Sequence, residues 1–107
     1  MLLMDQPLLQ QAFLQDAAVA VRLRTIAPEM TTHTINWDPQ TLGGTVVVEV
    51  ADDEAFTGTW ALLDTITWTA ANKIDVRQYT GPYRAMRHRV SAAIVGGTVT
   101  TRIMAAE

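Results

Sequence analysis

The stretch YTGPYRAMRHRV places Arg84, Arg87, His88 and Arg89 within six positions of a chain whose formal net charge is −3. Guanidinium groups at this density bind phosphates, carboxylates or the faces of aromatic rings. Phosphate is the weaker reading. Eight basic residues stand against eleven acidic ones, whereas a nucleic-acid surface normally makes its whole domain basic. Seven of the eight basic residues are Arg, and Lys73 is the only Lys. Arg is enriched and Lys depleted where proteins meet. Arg84, Arg87 and Arg89 are therefore expected at a subunit contact, meeting acidic groups of a neighbour. The plainer alternative is a solvated or internally paired strand face.

Other residues capable of chemistry do not assemble into a recognised pattern. His33 and His88 are far apart in sequence, each on the apolar side of its segment, and no spacing supplies a third metal ligand. They read as core or edge histidines. Asp52, Asp53 and Glu54 could hold a hard cation, but without the calcium-loop spacing a plain turn is the better reading. Ser91 is the single Ser and lies in no nucleophile elbow. The Gly pairs of LGG and VGG precede no helix, so they are hairpin glycines and not a phosphate cradle. Trp37, Trp60 and Trp68 could stack on sugars, yet they fall on inward phases and are expected in the core. The absence of Cys excludes disulfides and thiolate chemistry. No catalytic residue, cofactor or metal is assigned, and the chain is not expected to be an enzyme.

The elements that must position these groups fall into two regimes. Residues 1–17 are rich in Leu, Gln and Met, and Pro7 could open a short helix; an extended arm is the alternative. A helix of this length is marginal alone and must dock on its own sandwich or on a neighbour; Leu2, Leu3, Leu8, Leu9, Phe13 and Leu14 are expected to contact a neighbouring subunit. Residues 18–107 read as a β domain. Val19, Val21 and Leu23 alternate with polar or small residues, as do His33, Ile35 and Trp37, and Val46, Val48 and Val50. The same holds for Ile74 and Val76, for Met86, His88 and Val90, and for Val99 and Ile103. Seven or eight short strands with Gly and Pro punctuation predict an all-β antiparallel sandwich, jelly-roll-like. Arg87 and Arg89 then point outward, opposite to His88. No apolar run approaches the roughly 18 residues of a membrane span. The N-terminus lacks the basic region of a signal peptide, which points to the cytoplasm or an assembly built there.

The residues GGTVVVEVADDEAFTGTWALLDTITW, YTGPYRAMRHRV and VGGTVTTRI together resemble small virion proteins of tailed bacteriophages. The resemblance rests on Ala51, Asp52, Asp53, Trp60 and Leu62, on Gly81, Pro82, Tyr83, Arg84, Arg87 and Val90, and on Gly96 to Val99. It implies a β-sandwich or jelly roll that cements a capsid or forms a head or tail appendage, with no catalytic residues. It further implies a homo-oligomer, a trimer or another symmetric assembly, whose partner is the major capsid protein or another virion protein. The expected location is the virion, assembled in the bacterial cytoplasm, with neither nucleic acid nor membrane as partner. A carbohydrate- or receptor-binding sandwich is the alternative function.

Overall fold

The chain folds back on itself like a hairpin bent double. The computed structural model describes residues 2–23, 29–51, 59–81 and 83–106. Among these lie eight strands: β1 (Leu2–Pro7), β2 (Ala18–Arg22), β3 (Met30–Trp37), β4 (Gly43–Ala51), β5 (Ala61–Thr67), β6 (Ile74–Thr80), β7 (Ala85–Val95) and β8 (Val99–Ala106). Pairing is nested and antiparallel: β1 with β8, β2 with β7, β3 with β6, and β4 with β5. The further pairs β3 with β8 and β4 with β7 complete two four-stranded sheets. Their orders are β1-β8-β3-β6 and β2-β7-β4-β5, the jelly-roll order expected of an eight-stranded double sheet.

Period-two alternation builds the core. β3 turns Thr31, His33, Ile35 and Trp37 inward, and β8 turns Val99, Thr101, Ile103 and Ala105 inward. From the opposite sheet come Val46 and Val48 of β4, Ile66 of β5, and Met86, His88, Val90 and Ile94 of β7. A fully buried aliphatic side chain contributes about 1.5–3 kcal/mol, so this interlayer holds the sheets face to face. At the β7–β8 turn, Gly96 has φ 81°, and a Cβ there would sit 2.8 Å from the Gln40 carbonyl oxygen. Only Gly fits that turn without strain.

Three expectations change. The N-terminal segment is neither helix nor free arm: β1 is an edge strand, and Pro7, opposite Arg102, is tolerated because an edge can spare a donor. The chain then continues along β8, with Leu8 N–H donating to the Thr101 carbonyl at 2.9 Å and Ala12 N–H to that of Val99 at 2.9 Å. Leu8 and Leu9 are buried in the chain's own core, so a neighbour cannot use them. β8 needs a partner on that side, and tertiary pairing outweighs the helix propensity of a short segment. Second, β6 lies in the opposite phase: Ile74 and Val76 are exposed, while Asp75 faces inward. Its register pairs Ile35 with Asp75, and a one-residue shift moves every side chain to the other face. Third, Trp60 lies outside the core, whereas Trp37 is buried and Trp68 packs half-buried against the core.

Candidate functional site

β7 runs between β2 and β4, and its alternating residues carry two polar clusters on opposite faces. The inner cluster spans both sheets. His33 Nδ1 on β3 lies 2.7 Å from His88 Nε2 on β7. His33 Nε2 is 2.8 Å from Thr31 Oγ1, and His88 Nδ1 is 2.7 Å from Thr101 Oγ1. The Leu9 N–H donates to Thr101 Oγ1 at 3.0 Å, and Thr31 Oγ1 lies 3.7 Å from Met86 Sδ. One direction gives every donor an acceptor. Leu9 N–H donates to Thr101, whose hydroxyl donates to His88 Nδ1. His88 Nε2–H then donates to His33 Nδ1, His33 Nε2–H to Thr31, and the Thr31 hydroxyl to Met86. The reverse direction would leave Met86 without a donor and the Thr101 proton without an acceptor among these groups. Both imidazoles are thus neutral Nε2–H tautomers.

Electrostatics agree with that assignment. Both rings are fully buried, and among the described residues no carboxylate bonds to either. Burial lowers His33 from 6.5 to about 4. Burial, with repulsion from His33, lowers His88 to about 3. An edge-on contact with the Tyr79 ring, 5.0 Å between centroids, completes the wall around His33. A general base needs access to substrate, and these imidazoles have no exposed atom. The cluster instead cross-links the two sheets and the chain at Leu9.

The outer cluster centres on Glu49 of β4. Arg87 stands opposite it and Arg89 opposite Val47. Arg87 Nε donates to Glu49 Oε1 at 2.8 Å and Arg89 Nε to the same oxygen at 2.9 Å. Arg89 Nη1 also reaches Asp16 Oδ1 at 3.0 Å, and the Arg87 guanidinium lies 4.5 Å from the centre of the Trp60 ring. Burial of Glu49 opposes its ionisation. The hydrogen bonds and charges of Arg89 and Arg87 outweigh it and hold the carboxyl below its ordinary value. The hydrogen bond from Arg89 to Glu49 in turn raises the Arg89 guanidinium. The outward phase of Arg87 and Arg89 is as expected, but the acidic group they meet belongs to their own chain. Arg84 is exposed, apart from this cluster.

A third polar group closes one side of the sandwich. Tyr79 of β6 donates to Asp64 of β5 at 2.7 Å, and Arg77 Nε lies 3.5 Å from the same carboxylate. Asp75 accepts the Trp37 indole N–H at 2.9 Å. On the opposite side, Arg102 pairs with Asp5.

Of the apolar N-terminal residues, Leu2, Phe13 and Leu14 are exposed, Leu3 is half-buried, and Leu8 and Leu9 are internal. The six do not form one surface. The turn at Asp52, Asp53 and Glu54 lies outside the described residues, and no group of three potential metal ligands occurs among those described. The tryptophans build no stacking platform: Trp37 is buried, Trp68 half-buried, and Trp60 covered by Arg87. Glu49, Thr31 and Thr101 escaped the sequence reading. Glu49 left one signal, a lone charge within the strand TVVVEV; a single charge in an apolar strand needs a partner, and Arg87 and Arg89 were the available cations. The threonines left none, because Thr is common on strands in any case.

No family model matches the chain, and no curated protein matches it by sequence. Among solved structures it is similar to the SPBc2 prophage-derived protein YomS, with TM-score 0.66 and 8% identity, covering 99% of this chain and 98% of that one. A second similarity is to a protein described as forming Bacillus endospore appendages, disulfide-linked pili, with TM-score 0.49 and 14% identity, covering 96% and 87%. The eight-stranded sandwich is therefore shared from end to end with a prophage-derived protein.

Proposed function

We propose that the chain is a structural protein of a tailed-phage virion, a capsid cement or decoration subunit that bridges neighbouring proteins. The observation that carries this reading is the end-to-end correspondence with a prophage-derived protein, at TM-score 0.66 over 99% of the chain. Internal bonding of the chemically capable groups supports a non-catalytic role. The histidines are neutral and sealed, and Glu49 is held by two guanidinium groups. Exposed Leu2, Phe13, Leu14 and Leu42 offer apolar contact points, although single exposed apolar residues are ordinary on any surface.

Quantitative mass spectrometry on purified particles from the lysing host tests the proposal. A cement protein is present at a fixed ratio to the major capsid protein and sediments with emptied heads. Recovery only in the particle-free fraction would reject the virion reading, and recovery on isolated tails would reject cementing. Selective retention on immobilised glycans, lost when Trp60 is replaced, would favour the carbohydrate-binding alternative.

A further inference from the structure

The four edges of the two sheets are not alike. β1 carries Pro7 and a register shift between Leu2 and Met4. β2 has five residues. β5 is bulged where Asp64 opposite Val48 gives way to Leu62 opposite Glu49. Short strands, bulges and Pro blunt an edge against pairing with another chain. β6 is neither short, bulged nor broken by Pro, and only its charged residues Asp75 and Arg77 guard it. All seven of its residues pair with β3 without a shift.

The register also determines which groups β6 leaves open. Trp37 N–H donates to the Lys73 carbonyl at 2.9 Å, and Gly81 N–H donates to the Glu29 carbonyl at 3.1 Å. Hydrogen-bonded pairs alternate along an antiparallel ladder, so the odd-numbered residues of β6 bond to β3. The N–H and C=O groups of Ile74, Val76, Gln78 and Thr80 point away from β3, to a side with no partner strand among the described residues. Consistent with that, Arg77 Nη1 reaches round to the Val76 carbonyl at 3.3 Å. The side chains of Ile74 and Val76 are 54% and 53% exposed.

We propose that β6 is a dimerisation edge, to which β6 of a second copy of this chain adds antiparallel, with Val76 facing Val76 across a two-fold axis. Charge complementarity argues for a second copy and against the two registers adjacent to this one. Centred on Val76, the pairing sets Asp75 beside Arg77 of the second copy and Arg77 beside its Asp75. These are the non-hydrogen-bonded positions, where side chains approach most closely. Centring on Arg77 would oppose two guanidinium groups, and centring on Asp75 two carboxylates. Asp75 is 8% exposed, with Oδ2 held by Trp37 and Oδ1 3.7 Å from Arg77 of its own chain, so the dimer exchanges that long ion pair for one with the second copy. In the dimer Arg77 leaves the Val76 carbonyl, which then accepts the N–H of Val76 of the second copy. The two sheets containing β3 and β6 become one continuous sheet across the axis, an isologous contact.

The test is sedimentation equilibrium of the intact chain, combined with cysteine cross-linking in this cysteine-free background. The wild type is expected to dimerise with concentration. Val76→Pro should weaken the dimer at least tenfold; its ring replaces only an edge-facing N–H, so the ladder to β3 and the circular dichroism spectrum are retained. Val76→Cys should form an intermolecular disulfide on mild oxidation, because facing Cα atoms of about 5.5 Å are within bridging range. Ile74→Cys should not, since its two copies would lie roughly 13 Å apart along the strands. A monomer up to ~1 mM, the millimolar limit of weak association, would overturn the proposal. So would a dimer indifferent to Val76→Pro, or cross-linking by Ile74→Cys as efficient as by Val76→Cys. Cross-linking does not require the Pro variant to fold. The dimer is independent of the virion reading, so either can fail alone.

Discussion

His88 and its neighbours Arg87 and Arg89 occupy one strand, yet the two faces of β7 treat charge in opposite ways. Inward, His88 meets another imidazole and one hydroxyl, with no counter-ion among the described residues, and both histidines are driven neutral. Outward, Glu49 is almost as buried, at 6% exposure, yet it stays ionised because two guanidinium groups bond to it. Burial alone therefore does not set protonation. A buried group keeps its charge when partners of opposite sign replace lost water, and gives it up when only neutral partners are available.

Acidification should widen the contrast most. Both histidine values in the fold lie below the ordinary 6.5, so the unfolded chain takes up protons first. Stability is full above pH 6.5 and falls as the pH drops toward 4 and 3. Denaturant unfolding at pH 8 and pH 5 should differ by about 2 kcal/mol per histidine, or roughly 4 for the pair. Glu49 also loses stabilisation on acidification, because its folded value is lowered, but only below its ordinary 4.5. A stability curve flat from pH 8 to 5 would mean that the core accommodates an imidazolium.

His88→Ala should cost about 3 kcal/mol, combining a cavity with unpaired His33 and Thr101 groups. It should also remove much of the loss between pH 8 and 5, a result a simple packing defect would not give. Glu49→Gln preserves shape and removes the charge. With Arg87 and Arg89 partly solvated, the expected cost is about 1–2 kcal/mol, seen as a lower melting temperature at pH 7. A cost equal to that of His88→Ala would show that the outer face is as dry as the inner one. Trp60→Leu should have the smallest effect, about 0.5–1 kcal/mol from the lost cation–π contact. Its fluorescence, not its melting temperature, is the sensitive readout.

Much of the fold was legible in local pattern. Alternation in MTTHTINW and RAMRHRV put His33, Ile35, Trp37, Met86, His88 and Val90 inward, where they lie. It put Arg87 and Arg89 outward, where they also lie. The same rule failed for IDVRQYT. On an edge strand at the rim of the sandwich, the inward positions can take Asp75, Arg77 and Tyr79, since polar partners at Trp37 and Asp64 await them. Composition also misled at the N-terminus, because a Leu- and Gln-rich segment suits a helix or a strand equally well until a pairing edge is known.

Period-two patterning by itself decided the all-β class and the inner and outer faces of the central strands, and composition decided the absence of thiol chemistry. Those features depend on each residue and its near neighbours. Tertiary structure alone decided that His33 meets His88 across 55 positions of sequence, that Glu49 answers Arg87 and Arg89, and that β6 lies at a sheet edge. Each depends on which strands lie side by side and in what register. That choice is made by the summed burial of two sheets, and no segment carries it alone.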